Sequence, residues 1–374
     1  MIKRIYNLEK LIQKNKVLVI YGSRRIGKTT LLKNFLDNTK LKYKLDSGDN
    51  LRLQDILKSQ DFPRIIEYVA GNELIALDEA RQIPNIGMGL KIIVDQIDNI
   101  YIIATGSFSF ELSQQIGEPL TGRKRTIILY PLSQKELKLE HGAYELKEKL
   151  NEYLVFGSYP EIITAWHKGE KIEILNEIAN SYLLKDILAL EKVKSPQLLL
   201  KLLQLLAFQL GHQVSLNELA NKLNINIRTI ERYLDLLEKG FVIKRLGGFS
   251  RNLRKEVTGK SKYYFYDNGI RNAIIGQFNN IEDRDDVGAL FENFVFMERI
   301  KKCAYGRMYR NFYYWRTYDG KKIDLIEEYD GKLFGYEFKW SENKKVSAPK
   351  DWVNAYENTE FKIINRKNYL DFIL

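Results

Sequence analysis

The sequence predicts a multidomain α/β protein. Three observations carry that prediction. The first third alternates short apolar runs, each ending in polar residues, with helical stretches. The middle is helical and leucine-rich, and the last quarter carries β-type runs joined by a tight Asp330-Gly331 turn. At 374 residues the chain has room for roughly two to four domains. The patterning divides it at 1–132, 133–192, 193–282 and 283–374.

The first segment opens its chemistry at 17–30, VLVIYGSRRIGKTT. Val17 to Tyr21 has the apolar run of a buried strand, and LLKNFL after the glycine turn has the pattern of a helix. Between them Gly22 to Thr29 spells G-x-x-x-x-G-K-T, a phosphate-binding loop in its proper strand–loop–helix setting. Such a loop turns backbone N–H groups toward phosphate oxygens at a helix N-terminus. Lys28 would reach the β and γ phosphates, and the Thr29 hydroxyl would ligate Mg2+. LIALDE then ends a second strand in Asp78, for the magnesium shell, and Glu79, to orient an attacking water. YIIATGS ends a third strand in Thr105 and Ser107, placed to sense the γ-phosphate. Arg123 follows Gly122 just before the β-run Thr126 to Tyr130. It could stabilise transition-state charge in cis or from a neighbouring copy, with Arg125 as competitor and a solvated basic loop as the plainer reading. SQKEL, after Pro131, has the form of a capping box.

Net charge is +11, which favours an anionic partner, with nucleic acid ahead of a membrane surface. The single cysteine, Cys303, excludes an internal disulfide framework and a cysteine-based zinc cluster. The three histidines, His141, His167 and His212, are scattered. No apolar N-terminal stretch of signal-peptide type is present, and LLLKLLQLLAFQL from Leu198 is too short and too interrupted to span a bilayer. A cytoplasmic protein without a membrane partner is therefore expected.

In the middle, SPQLLLKLLQLLAFQL reads as one helix, SLNELANKL as a second opened by Ser215 and Glu218, and NIRTIERYLDLLEKG as a third capped by Asn226 and ended by Gly240. Two β-type runs follow, flanking a loop rich in Arg251, Arg254, Lys255, Lys260 and Lys262. Helix–turn–helix followed by a basic hairpin is the layout of a winged helix. Arg228, Thr229 and Arg232 would face a DNA groove, and the wing would touch phosphates. Glu231 and Asp235 on the exposed side of that helix would repel phosphate, and winged helices also serve as protein contacts and as ATPase lids.

In the last quarter, GALFENFVFMER (288–299) reads as a helix and FYYWRT (312–317) as a strand. Centring the hairpin KKIDLIEEYDGKLFGYEFKW on Asp330-Gly331 makes opposed residues sum to 661. Leu325 then faces Tyr336, and Asp324 faces Glu337 with Lys339 on the same side, while Phe334, Tyr336, Phe338 and Trp340 point the other way. Two opposed carboxylates should repel unless a cation lies between them.

The strings GSRRIGKTTLL, LIALDEA, ATGS, LTGR and YPLSQKEL together resemble the prokaryotic AAA-type ATPase family that carries a conserved C-terminal domain of unknown function. FGSYPEII (156–163), SYLLKDIL (181–188) and KYYFYDNGIRNAIIG (262–276) are similar to further landmarks of that family, so the resemblance covers essentially the whole chain. It implies ATP bound with Mg2+ by Gly22, Ser23, Arg24, Arg25, Ile26, Gly27, Lys28, Thr29 and Thr30. It also implies Thr105 as sensor, a helical lid over 133–192, and Pro160 near the adenine. Ser158 stands where the family has a second glycine. The D…E-x-K hairpin after a glutamate-bearing helix resembles the PD-(D/E)XK nuclease superfamily. By that match Asp324 and Glu337 would hold Mg2+ with Glu292 as the outer acid, and Lys339 would help orient or polarise the attacking water in metal-assisted phosphodiester hydrolysis. The expected function is thus ATP binding and hydrolysis coupled to DNA binding, with cleavage as an added capacity. Two rival readings are an ATP-dependent DNA-binding switch with an inactive nuclease fold, and a scaffold ATPase whose winged helix binds protein. A trans-acting Arg123 would need a homo-oligomer, but rings and monomers both remain open.

Overall fold

Strand β1 (Lys16–Tyr21) buries every side chain after Lys16, as a central parallel strand must when both sheet faces are covered. A computed structural model describes residues 2–107, 119–183, 195–250, 259–317, 320–344 and 346–374. The described residues form two compact units, one of 4–130 with 239–241 and the other taking up the rest.

In the first unit β1 is followed by α1 (Lys28–Asn38), β2 (Tyr43–Ser47), α2 (Leu51–Lys58) and α3 (Phe62–Val69). β3 (Leu74–Asp78), α4 (Ile86–Gln96), β4 (Tyr101–Gly106) and β5 (Lys124–Ile128) complete it. The strands make one parallel sheet in the order β2-β3-β4-β1-β5. The order reverses at β1, so the loop after β1 lies in the crevice at the carboxyl ends of the strands, where open α/β sheets bind ligands.

The second unit begins with short helices: α5 (Gln134–Leu137), α6 (Ala143–Glu148), α7 (Leu150–Phe156), α8 (Pro160–Thr164) and α9 (Lys168–Glu177). α5 carries the reciprocal capping box of Ser133 and Glu136 expected from SQKEL. Next come α10 (Pro196–Phe208), β6 (Gln213–Val214), α11 (Leu216–Leu223), α12 (Ile227–Lys239), β7 (Ile243–Gly248), β8 (Ser261–Phe265) and α13 (Asn268–Ile274). The long helix α14 (Val287–Gly306) leads into β9 (Asn311–Arg316), β10 (Lys322–Tyr329), β11 (Lys332–Lys339), α15 (Lys350–Ala355), β12 (Thr359–Asn365) and α16 (Tyr369–Ile373). One seven-stranded sheet, β12-β11-β10-β9-β7-β8-β6, runs through all of these strands. The segments 193–282 and 283–374, expected as separate domains, meet in it through the parallel pair of β7 and β9 at Gly247/Tyr313 and Gly248/Tyr314.

The hairpin follows the expected register from Leu325/Tyr336 to Tyr329/Lys332. Asp330 and Gly331 both have positive φ, 51° and 70°, as a tight hairpin turn of this hand requires. Nearer the open end the strict alternation fails. A bulge between Ile323 and Ile326 turns both side chains into one core cluster with Leu333 and Trp352. The Asp324 carboxylate instead accepts a hydrogen bond from the backbone N–H of Phe338 at 3.1 Å.

Two of the sequence landmarks interlock. Gly157, at φ +73°, lies against Asp267, and a Cβ there would stand 1.9 Å from the Asp267 carboxylate. A Cβ on Gly269 would stand 2.1 Å from the carbonyl oxygen of Phe156. The buried Asp267 accepts from the backbone N–H of Ser158 at 2.7 Å and of Gly269 at 2.9 Å. Gly157→Ala is expected to cost about 3 kcal/mol or more, because it adds both a collision and a backbone strain. Chemical denaturation measures it, and a loss below about 0.5 kcal/mol would show that the interlock is unimportant.

Candidate functional site

The loop after β1 brings its chemistry together as expected. Gly27 takes a left-handed conformation immediately before α1, at φ 88°. Lys28 opens the helix, and its ammonium donates to the carbonyls of Gly22 (2.9 Å) and Ser23 (2.8 Å) and, more weakly, to Ser107 Oγ (3.4 Å). Burial pushes Lys28 down to about 8; Glu79 and Asp78 oppose that shift, whereas Arg81 and Arg24 add to it. The Thr29 hydroxyl donates to Asp78 Oδ2 at 2.8 Å, and the Thr105 hydroxyl donates to Asp78 Oδ1. Ser107 Oγ donates to Glu79 at 3.0 Å, and the Arg81 guanidinium lies 3.2 Å from the same carboxylate. Ile26 is fully buried, so only its backbone can serve a ligand.

Arg4 and Arg81 were not among the residues singled out from the sequence. Arg4 fastens the back of the loop, donating to the carbonyls of Ile26 at 2.7 Å and Tyr130 at 2.6 Å. No local pattern near the N-terminus marks such a tie.

Arg123 is placed differently from one of its expected roles. Its carbonyl accepts from Val17 N–H at the start of β1, and its guanidinium pairs with Asp95. Gly22 lies five residues further along that strand, about 16 Å away at the usual rise per residue. The parallel sheet thus puts Arg123 at the opposite strand ends from its own loop. Pro160 opens α8 and belongs to the other compact unit.

In the second unit, Glu292, Asp324 and Lys339 line a cavity of about 290 Å3, together with Lys262, Lys322 and Arg316. The expected metal ligands Glu292, Asp324 and Glu337 are each paired with an ammonium group. Among the described residues no group of three or more His, Cys, Asp or Glu side chains is arranged to hold a metal ion. Lys262 Nζ lies 3.0 Å from Glu292 and 3.7 Å from Asp324, and Lys322 Nζ lies 2.9 Å from Asp324. Lys339 pairs with Glu337 at 2.5 Å. Burial raises the Asp324 carboxyl, but Lys262 and Lys322 outweigh it and hold the group below the usual carboxylate range. Glu337 is held above that range, by burial first and by Asp324 second. The Tyr264 hydroxyl donates to Glu292 at 2.6 Å, and burial keeps that phenol protonated far above its ordinary range.

Lys262, expected in the basic wing loop, is instead a buried residue of β8. Arg251, Arg254 and Lys255 lie outside the described residues. On α12, Arg228 and Arg232 are exposed, alongside the exposed acids Glu231 and Asp235. The Thr229 hydroxyl is already used, donating to the capping Asn226 at 3.0 Å.

Fold and loop together define an AAA-type P-loop domain. Residues 14–138 match the family model described as AAA domain. Residues 147–281 and 287–370 match two domains of unknown function, DUF8612 and DUF4143. The chain thus joins an AAA P-loop domain to a C-terminal DUF4143 domain. An uncharacterised protein of Haemophilus influenzae is 29% identical over 357 residues, covering 87% of this chain and 84% of that protein. One from Methanocaldococcus jannaschii is 25% identical over 375 residues, covering 94% and 81%. Among solved structures, a Walker-type ATPase of Pyrococcus abyssi aligns with a TM-score of 0.46 and 17% identity, over 69% of this chain and 91% of that one.

A phosphate ligand needs Lys28 charged. Below about pH 8 the lysine already carries its proton; above it, binding must first take one up. Nucleotide affinity is expected to hold up to about pH 8 and then to weaken by up to about tenfold per pH unit. Titrations with a fluorescent nucleotide from pH 7 to 9.5 would test this, and a flat profile would contradict it.

Proposed function

We propose that the chain binds and hydrolyses ATP, and that hydrolysis governs how its C-terminal half engages DNA. The observation carrying the first part is the juxtaposition of Lys28, Thr29, Asp78, Glu79 and Thr105 at the carboxyl ends of three neighbouring strands. In this reading Lys28 exchanges its bonds to the Gly22 and Ser23 carbonyls for phosphate oxygens. Thr29 and Asp78, already 2.8 Å apart, are oxygen donors that fit Mg2+. When bound, the ion would neutralise charge on the phosphates. Glu79 orients the attacking water once Ser107 and Arg81 release it. Thr105, joined to both Asp78 and the backbone of Glu79, keeps the two acids in fixed relation. Arg123 can serve hydrolysis only in a neighbouring copy.

Glu79→Gln is expected to keep nucleotide affinity and lose about a hundredfold or more in turnover. Lys28→Ala is expected to lose both. Phosphate release and nucleotide titration on the same preparations decide it; turnover unchanged in both variants would remove the ATPase reading.

DNA binding is favoured by one arrangement. α10, β6, α11, α12, β7 and β8 follow one another in the chain order of a winged helix, with β8 between β6 and β7. The net charge of +11 acts in the same direction. The carboxylate pocket does not fit a metal centre, because each acid already has an ammonium partner. The nuclease-like part therefore acts as a binding fold and not as a cleaving one. If α12 meets phosphates, Arg228→Ala with Arg232→Ala should weaken duplex binding and reduce the salt slope by about two. An unchanged slope would shift the reading toward a protein partner.

A further inference from the structure

The hairpin raises a physical question that a metal would ordinarily answer: what lets buried carboxylates lie together? Glu292, Asp324 and Glu337 are all buried. Three ammonium groups meet them: Lys262 between Glu292 and Asp324, Lys322 on Asp324, and Lys339 on Glu337. Three negative charges are thus matched by three positive ones. A divalent cation added to that set would leave an excess of two positive charges around buried carboxylates, which is costly where water is scarce.

Of the three lysines, Lys262 is the one fixed in place. Its side chain is 6% exposed, whereas that of Lys322 is 46% exposed. Its backbone is laddered on both sides, opposite Gln213 of β6 and Leu246 of β7. The ring of Tyr314 lies 5.7 Å from its ammonium, and Tyr264 holds the Glu292 carboxylate that the ammonium contacts. The strand therefore delivers a positive charge to the gap between two carboxylates and cannot easily withdraw it. Glu337 Oε2, meanwhile, is buried and has no hydrogen-bond partner.

We propose that Lys262 is a tethered cation that takes the place of a divalent metal ion, and that it keeps the C-terminal carboxylate pocket closed to metal. The pocket contains the raw material of a cation site: two carboxylates on one ammonium, and a third acid with an oxygen to spare. Removing the ammonium should open it.

The test uses the full nucleotide-free chain with Asp78→Asn in every arm, which takes the Asp78 ligand away from the P-loop. Mn2+ is the probe, and loss of the free-ion EPR signal reports binding. The background protein is expected to show no saturable Mn2+ site dependent on Asp324. Lys262→Met, close in size but uncharged, is expected to gain about one bound Mn2+ per chain, and adding Asp324→Asn should abolish it. Lys262→Gln serves if the methionine variant does not fold, and thermal melts identify folded preparations. The proposal is overturned if the background protein binds Mn2+ and Asp324→Asn removes that binding. It is equally overturned if a folded Lys262 variant gains no site.

Discussion

The second compact unit depends on α14, a helix buried on nearly every side and yet rich in polar residues. Glu292, Asn293, Glu298, Arg299 and Lys301 are all buried along it. Each is matched. Glu292 meets Lys262 and Tyr264, and Asn293 bonds both the N–H and the carbonyl of Phe265. Glu298 accepts from Gln134 N–H at 2.7 Å and from Lys301, while Arg299 makes a two-pronged contact with Glu327 and reaches the carbonyl of Phe372. Losing one partner of such a buried pair typically costs about 3–5 kcal/mol, whereas a matched pair contributes little net stability. The helix thus acts less as a source of stability than as a template. β8, β10, α5 and the C-terminal residues each supply the complement of a particular α14 side chain, so their positions are specified by charge as well as by packing.

The same logic explains two landmarks that had only a resemblance to recommend them. FGSYP and YDNG lie far apart in sequence, but the first supplies a glycine cavity and a backbone donor, and the second a carboxylate that fills both. Asp267 is wholly enclosed, and burial raises its carboxyl despite help from the Ser158 N–H and Lys301. Ser158 in place of a second glycine fits this arrangement, since its N–H is what Asp267 uses and its side chain is buried beside Lys301.

What the sequence made legible was local. The phosphate loop, the acids ending β3, the cap at Ser133 and the Asp330-Gly331 register all rest on residues a few positions apart, where spacing alone dictates geometry. The misreadings came where distant segments meet. Lys262 looked like one more basic residue near a wing, because nothing beside it reveals that Glu292 and Asp324 converge on it. Arg123 stands next to a promising strand, but which end of the sheet that strand presents follows only from its pairing with β1. The bulge at 323–326 was invisible because strict alternation is the default for a strand, and one added residue is enough to reassign every side chain beyond it. Lys322 could have been found, since it lies two residues from Asp324 and alternation alone suggests that they are neighbours.

The two clusters of charged groups differ in a way that bears on function. Around the P-loop, Arg81 and Arg24 act on Lys28 against Glu79 and Asp78, and burial has already drawn Lys28 down to about 8. An ammonium held in that condition is destabilised until an anion arrives, and a polyphosphate would return it to its ordinary strength. In the C-terminal pocket each acid has its ammonium and no comparable gain is on offer. Similar residue types have thus been assembled to opposite effect. One cluster is electrostatically incomplete and gains from a ligand. The other is complete within the chain, and its lysines contribute the charge that a metal would otherwise bring. The presence of acids and lysines at suggestive spacings does not separate these cases; the balance of charge among the groups that actually touch does.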